Sequence, residues 1–246
     1  MKTLDILKRI FFPRLCLFCD EPISYEDKIP ICEDCFEIWD ELLEVRCNRC
    51  GNDRHGCTCA PALIKKNFPV YIWSVFYTPG LDSLANSLVF QLKYSRYREV
   101  INFCADNMRD SIISMCKKRG IDYREYAVTY SPRRNINKAK YLYDQSRELA
   151  KRLAEQLGLE FVDALKNKGY TEQKELSSVE RRRNAMKSYR LKKNFICKHK
   201  KYFLVDDIMT TGATLLYCSR LLYSAGATDV IPVTYAKDNF KFKGDT

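Results

Sequence analysis

The sequence has no apolar run long enough to cross a membrane. Its longest uncharged stretch, residues 67–81, contains Pro69, Pro79 and Gly80, so it predicts a strand and a turn rather than a membrane span. Charged side chains interrupt the first thirteen residues, which excludes the apolar core of a secretory signal peptide. We therefore expect a cytoplasmic protein.

Low-complexity tracts are absent, and there is no internal repeat beyond paired cysteines. The 246 residues are 46% hydrophobic and 13% aromatic, as in a globular protein with a sizeable core. Acidic residues are the minority, with 31 Asp and Glu against 42 Lys and Arg, so the net charge is +11. Such a balance favours anionic partners such as nucleotides, nucleic acids or phosphorylated sugars.

Aliphatic residues are scarce in residues 1–60, where eight of the twelve cysteines lie. Two thiolates separated by two residues can bind one metal ion, and four thiolates complete a tetrahedral zinc site. In the cytoplasm, metal binding is favoured over disulfides or buried free thiols. The sequence thus predicts a zinc-ribbon module at residues 1–65 with one or two structural Zn²⁺ ions. The predicted ligands are Cys16, Cys19, Cys32 and Cys35 at one site, and Cys47, Cys50, Cys57 and Cys59 at the other.

The second predicted zinc site has a tighter spacing than the first. Cys57 and Cys59 are separated by one residue only, and His55 could replace one of these cysteines. A solvated loop position is the favoured interpretation of His55. Four thiolates leave no open coordination position, so we expect the metal to be structural.

Strands and helices are predicted to alternate in residues 66–246. Five candidate strands are separated by candidate helices, and these strands end at Tyr77, Tyr130, Ala164, Val205 and Tyr235. This alternation predicts an α/β fold with a parallel sheet and right-handed crossovers. Ligands bind such sheets at the carboxyl ends of the strands.

The clearest functional signal follows the candidate strand that ends at Val205. Asp206 and Asp207 come first, and a loop rich in hydroxyl groups then opens a helix: Thr210, Thr211, Gly212, Ala213 and Thr214. Backbone N–H groups at a helix N-terminus favour an anion. Carboxylates suit hydroxyl donors or a Mg²⁺ ion beside that anion. A ribose 5-phosphate is the simplest ligand with these features.

This segment resembles the binding motif of type I phosphoribosyltransferases, which hold phosphoribosyl pyrophosphate (PRPP). Further motifs follow the cysteine pairs in one order: Gln91-Leu92-Lys93-Tyr94, Asp144-Gln145-Ser146, Gln173, Leu176, and Arg181 to Asn184. Over nearly the whole chain the sequence is similar to the ComF family of competence-associated proteins. The resemblance implies a zinc ribbon joined to a parallel-sheet domain of the type I phosphoribosyltransferase fold.

The resemblance also implies a role for each part of the site. Asp206 and Asp207, the candidate catalytic residues, would bind the ribose hydroxyls, and the loop from Thr210 to Thr214 would wrap the 5-phosphate. Further PRPP contacts would come from Ser131, Arg133 and Arg134 at the pyrophosphate loop and from Gln173 and Arg182 in a mobile loop at residues 166–190.

Two features depart from the family pattern. The apolar spacing predicts an amphipathic helix over residues 138–157 that ends at Gly158. The family usually has the sequence Arg-Gly-Phe-Asn-Gln before its helix, and the segment from Lys140 to Gln145 lacks the glycine. The base-recognising hood of metabolic phosphoribosyltransferases is not evident, because only a short tail follows Tyr235.

Residues 181–201 contain ten Lys or Arg and no Asp or Glu. This run is compatible with binding nucleic-acid phosphates, with closing over pyrophosphate, or with a solvated basic face. The predicted function is Mg²⁺-PRPP binding in the uptake or handling of single-stranded DNA during natural competence, with DNA-uptake proteins as further partners. The alternatives are a phosphoribosyltransferase with an unidentified small acceptor and a PRPP sensor without turnover.

Overall fold

The computed structural model describes residues 11–27, 29–78, 83–94, 98–133, 144–168 and 187–239. The first half contains a two-stranded hairpin, four helices and the first strand of the main sheet. These elements are β1 (Arg14–Leu15), β2 (Pro22–Ile23), α1 (Glu33–Leu43), α2 (Ala62–Asn67), β3 (Ile72–Tyr77), α3 (Leu84–Tyr94) and α4 (Arg98–Arg119). A 3₁₀ turn at Tyr123–Glu125 then leads into β4 (Tyr126–Tyr130).

The second half completes the sheet and adds a small hairpin. Its elements are α5 (Gln145–Leu157), β5 (Leu165–Asn167), β6 (Tyr189–Leu191), β7 (Lys201–Met209), α6 (Ala213–Ser224) and β8 (Asp229–Asp238). The main sheet has the order β3-β8-β7-β4, and all its strands are parallel. A parallel bridge between Val128 and Phe161 extends the sheet beyond β4, so the candidate strand near Ala164 contributes at this edge.

The sheet is buried on both faces. Along β7, Phe203 and Val205 belong to one apolar cluster, while Tyr202 and Leu204 belong to a second cluster on the opposite face. This alternation follows from the two-residue period of a strand. Helices α1, α3, α4 and α5 cover the first face, and α2 and α6 cover the second, which gives three layers.

Several predicted element boundaries are wrong by a few residues. The candidate strand from Asn67 begins only at Ile72, because α2 continues to Asn67 and residues 68–71 connect it to the strand. Helix α5 begins at Gln145, since Asp144 has an extended backbone, and residues 138–143 lie outside the described part of the chain. Gly158 closes this helix in the left-handed conformation (φ 67°), as its position predicts.

Three other differences concern the site. Strand β7 continues to Met209, so both aspartates belong to the strand. Strand β8 continues to Asp238, where the sequence predicts a tail, because its last residues pair with β3. The two ends of the polar stretch after Ala164 pair as the antiparallel β5–β6 hairpin. Residues 169–186, between these strands, lie outside the described ranges.

In the residues that the structure describes, no helix is both long and apolar enough to span a bilayer. The predicted boundary between residues 65 and 66 falls inside α2, whose Ile64 is fully buried against the second face of the sheet. The division of the chain into two domains stays a prediction.

Candidate functional site

Asp206 and Asp207 lie near the carboxyl end of β7, where three other segments meet them. The Ser146 hydroxyl donates to Asp206 Oδ1 at 3.2 Å, and the Gln145 Nε2 donates to Asp207 Oδ2 at 2.7 Å. The Arg133 guanidinium lies 3.5 Å from the same Asp207 oxygen. Ser131 continues the ladder beyond β4 by donating its N–H to Val205 at 2.9 Å. Strand ends and one helix N-terminus thus converge on the carboxylates.

The two neighbouring carboxylates affect the ionisation of Asp206. Burial raises the pKa of Asp206, and the Asp207 charge raises it further, to about 8. Hydrogen bonds from Ser131, Ser146 and the Asp207 N–H act in the opposite direction but do not cancel this shift. A hydroxyl donor or a cation would relieve the repulsion between the two carboxylates, so the site favours a ligand that supplies one of these groups.

The loop after β7 places a helix N-terminus beside the carboxylates. Thr210 and Thr211 are exposed, and Gly212 has a positive φ of 73° immediately before α6. The first turn of α6 contains no acidic residue. Because the first N–H groups of a helix have no partner within it, this turn can bind a phosphate.

The Gly212 position has no room for a side chain. A Cβ atom there would lie 2.3 Å from Ile64 Cγ1 and 2.5 Å from Ile64 Cδ1. Ile64 belongs to α2 and is fully buried. Ile64 follows the second group of cysteines in the chain, and its side chain restricts the path that the loop around Gly212 can take.

The structure brings most of the predicted site residues together. Ser131, Arg133, Asp206 and Asp207 surround the strand ends, and the loop from Thr210 to Thr214 follows directly. Arg134, Gln173 and Arg182 lie outside the described residues, as does most of the predicted mobile loop.

Two residues that contact the carboxylates, Gln145 and Ser146, were recognised only as part of a family motif and received no binding role. Gln145 is completely buried, and its Oε1 has no hydrogen-bond partner among the described residues. Asp144 accepts the Arg133 N–H at 3.1 Å. Short polar side chains at a predicted helix start are the signal that could have identified these residues.

Asp163 connects the segments around the site. Its carboxylate accepts the Tyr130 hydroxyl at 3.1 Å, and it lies 2.6 Å from Lys192 Nζ and 3.6 Å from Arg147 Nε. Tyr130 precedes Ser131, Arg147 follows Ser146 in the chain, and Lys192 follows β6. Asp163 thus holds the base of the β5–β6 hairpin against the strand and helix that carry site residues.

The first group of cysteines lies between the β1–β2 hairpin and α1. The sulfur atoms of Cys16, Cys19, Cys32 and Cys35 all lie within 4.8 Å of one another. Burial opposes ionisation of Cys16, but backbone N–H groups of Cys19 and Cys32 outweigh it and lower the pKa of Cys16 to about 7. Four converging sulfurs, one of them in a thiol with a lowered pKa, fit a tetrahedral zinc ion.

The second group contains Cys47, Cys50, Cys57 and Cys59, again with all sulfurs within 4.8 Å. Burial opposes ionisation of Cys47, whereas backbone N–H groups and the Lys237 charge favour it, and the pKa of Cys47 falls to about 7. His55 is not in this group, and its Nε2 accepts a hydrogen bond from Arg54 at 3.1 Å. The donor set of this group is therefore four thiolates, and both groups could hold zinc.

Comparison with known proteins supports the resemblance seen in the sequence. Residues 143–241 match the family model described as "Phosphoribosyl transferase domain". The "Competence protein ComFC" of Streptococcus pneumoniae (strain ATCC BAA-255 / R6) is 26% identical over 206 residues, which are 81% of this chain and 84% of that protein. These two matches support a ComF-family protein with a phosphoribosyltransferase-like domain. The chain has the parallel-sheet fold of the type I phosphoribosyltransferases, and its N-terminal cysteine groups are consistent with a zinc ribbon.

Distant matches to this ComF-family chain also occur among solved structures. The allosteric regulatory enzyme of purine biosynthesis is 17% identical with a TM-score of 0.38, over 59% of this chain and 30% of that enzyme. Adenine phosphoribosyltransferase from Thermoanaerobacter pseudethanolicus is 14% identical with a TM-score of 0.36, over 58% of this chain and 82% of that enzyme. Since both scores are low, the fold assignment rests on the strand order and the family match.

Proposed function

We propose that this ComF-family protein binds PRPP together with Mg²⁺ at the carboxyl ends of β4 and β7. The observation that carries the proposal is the adjacency of two elements. Asp206 and Asp207 are held at a strand end by donors from other segments, and Gly212 starts a helix shortly afterwards along the same loop. A ligand with ribose hydroxyls next to a 5-phosphate matches this order of groups.

Each group has a defined role in this proposal. The N–H groups that open α6 bind the 5-phosphate, and the aspartates accept hydrogen bonds from the ribose hydroxyls. Arg133, whose guanidinium lies beside Asp207, supplies positive charge to the pyrophosphate. The buried Gln145 Oε1 accepts a further ligand hydroxyl.

The carboxylates of Asp206 and Asp207 also fit a magnesium ion brought by the ligand, since Mg²⁺ prefers oxygen ligands. When bound, the ion would neutralise part of the pyrophosphate charge. The raised pKa of Asp206 is consistent with this role, because a nearby cation would remove the repulsion between the two carboxylates.

Calorimetric titration of PRPP into the zinc-loaded protein, with and without Mg²⁺, tests the proposal. We expect binding that Mg²⁺ strengthens and that the double substitution Asp206→Asn and Asp207→Asn abolishes. Asp110→Asn is the matched control, because that carboxylate lies on α4 with a side chain that is 65% exposed. If the wild-type protein does not bind PRPP, the proposed site is wrong.

A second function, the handling of single-stranded DNA, is proposed on a separate observation. Seven cations on and after the β5–β6 hairpin have no carboxylate within 4.0 Å among the described residues: Lys166, Lys168, Lys187, Arg190, Lys193, Lys198 and Lys200. In contrast, the neighbouring Lys192 and Lys201 are each paired with a carboxylate. Cations on and next to one hairpin, with no carboxylate beside them, attract the phosphates of a nucleic acid.

Fluorescence anisotropy with a labelled single strand, repeated over a salt series, measures this interaction. Charge reversal at Lys193 and Lys198 should weaken binding and reduce the salt slope. Charge reversal at Lys117 and Arg119, at the far end of α4, changes the net charge equally and should have a smaller effect. Binding without a salt slope would contradict the proposal.

An assay of pyrophosphate release from PRPP separates an enzyme, which turns PRPP over, from a sensor, which only binds it.

A further inference from the structure

Lys237 is a buried cation at the end of β8. Its side chain is 2% exposed, and it is the one buried Lys or Arg in the part of the chain that the structure describes. Its ammonium lies 5.2 Å from the centre of the Trp73 ring and 5.0 Å from that of Phe76. No carboxylate oxygen of the described residues lies within 4.0 Å of it.

A buried ammonium destabilises a fold unless an opposite charge compensates it. The faces of Trp73 and Phe76 attract the cation, but aromatic rings carry no net charge. Among the described residues, no acidic side chain within 4.0 Å supplies the missing charge. Another type of anionic side chain near the two rings could supply it.

The second group of cysteines lies beside the same two rings. Cys47 and Cys57 belong to the same buried cluster as Trp73 and Phe76, the two rings that contact Lys237. The loop that carries Cys47 is also attached to the end of β8, because the Asn48 N–H donates to Asn239 Oδ1 at 3.1 Å. The ammonium and the buried thiols of Cys47 and Cys57 therefore border the same pair of aromatic rings.

Charge balance follows from this arrangement. Four thiolates around one Zn²⁺ ion carry a net charge of minus two, which is also costly to bury. The lysine ammonium offsets half of it. Four neutral thiols would offer Lys237 no counter-charge, so the buried lysine fits a metal-loaded group better than a metal-free one.

We propose that Lys237 is the counter-ion of the metal-loaded second cysteine group, so that this group and the end of β8 stabilise each other. The first group, formed by Cys16, Cys19, Cys32 and Cys35, has no fully buried Lys or Arg in the described structure. It therefore serves as an internal control. The inference concerns the metal site alone and does not depend on PRPP binding.

The test uses the full-length protein loaded with Co²⁺, whose absorption reports thiolate ligation, or with Zn²⁺ in competition with a chelator. Lys237→Met keeps the length of the side chain and removes its charge, and Lys237→Arg keeps the charge. We expect Lys237→Met to weaken one of two ions by about 10- to 100-fold, as loss of an outer-shell partner does. Lys237→Arg should retain most of the affinity.

Matched cysteine variants assign the affected ion to its site. Cys19 and Cys50 are both exposed members of their groups, so Cys19→Ser and Cys50→Ser each damage one site with little change in packing. In the Cys19→Ser background the remaining ion should still respond to Lys237→Met. In the Cys50→Ser background it should not. Equal metal affinity with and without the lysine charge would overturn the proposal.

Unfolding by urea gives a second readout. With the second group intact, Lys237→Met should lower the midpoint. With Cys50 and Cys59 replaced by Ser, the lysine loses its counter-charge, and Lys237→Met should then raise the midpoint. A change of the same sign and size in both backgrounds, or failure to fold in both, would show that the lysine acts through packing and would overturn the proposal.

Discussion

The backbone of Gly212 lies directly against the side chain of Ile64, with no space between them for a Cβ atom. Gly212 starts the helix that follows the carboxylates, and Ile64 belongs to α2, five residues after Cys59. The contact joins the cysteine-rich part of the chain to the candidate phosphate loop. It follows that the shape of the loop depends on a residue far away in the sequence.

The first prediction concerns this contact. Gly212→Ala should destabilise the protein and weaken PRPP binding, because the methyl group overlaps Ile64 and the residue has a left-handed φ. We expect a loss of about 2–4 kcal/mol, combining strain and overpacking. Urea unfolding and calorimetry measure the two effects.

Gly158→Ala is the control for this prediction, since Gly158 has a similar φ of 67° but nothing within 4 Å of the position that a Cβ atom would take. It should lose about 1 kcal/mol from backbone strain alone. The double variant Gly212→Ala with Ile64→Ala should lose less than the sum of the single variants, because the nearest remaining Ile64 atom, Cβ, lies 3.7 Å away. Strict additivity would contradict the steric explanation.

The second prediction is the pH dependence of stability that Asp206 causes. Its folded-state pKa, about 8, is above the value expected in the unfolded chain, so the folded state holds the extra proton between these values. The stabilisation is complete below about pH 4 and is lost as the pH rises to about 8. This loss is at most about 1.4 kcal/mol per pH unit.

Asp206→Asn removes this titration, so the stability of the wild-type protein should fall relative to that of the variant from pH 5 to pH 9. Urea midpoints across this range measure the difference. Parallel curves for the two proteins would mean that Asp206 titrates normally in the folded state.

The third prediction tests the position of Gln145. Gln145→Met preserves the size of the side chain but removes the donor to Asp207 and the free Oε1 acceptor. Each lost hydrogen bond contributes about 1 kcal/mol, so PRPP affinity should fall about 5- to 30-fold.

Gln156→Met is the matched control, because Gln156 lies on the same helix and donates to Asp106 at 2.8 Å, away from the site. It should change stability to a similar extent and leave PRPP affinity intact. Equal effects of both variants on PRPP binding would remove the role proposed for Gln145.

The fourth prediction concerns Asp163. Burial acts against its ionisation, but Lys192, Tyr130 and Arg147 outweigh this effect and lower its pKa. Asp163→Asn should free Lys192 and loosen the β5–β6 hairpin, at a cost of about 1–3 kcal/mol for this partly buried group. Hydrogen exchange of the β6 amides should accelerate.

Glu160→Gln removes the exposed carboxylate that lies 2.9 Å from His199 Nε2 and should leave hydrogen exchange in β6 unchanged. PRPP affinity should decrease in Asp163→Asn but not in Glu160→Gln, since Asp163, unlike Glu160, contacts both Tyr130 and Arg147 beside the site. Unchanged exchange in Asp163→Asn would show that the hairpin is held by other contacts.

The sequence alone determined the elements whose signals are local. The close pairing of cysteines predicted the metal-ligand groups, and the order of strand, carboxylates, glycine and helix predicted the β7 loop. The parallel α/β fold was correctly predicted, and the ComF family was recognised. All of these depend on neighbouring residues, because hydrophobic period, capping and ligand spacing are properties of short segments.

Only the tertiary structure decided which distant residues meet. Gln145 binds Asp207 because a crossover returns its helix to the edge where β7 ends, and Ile64 fills the space that Gly212 leaves open. Lys237 was assigned to a tail, yet it lies buried beside the second cysteine group. Contacts of this kind depend on how whole elements pack, and no local period in the sequence records them.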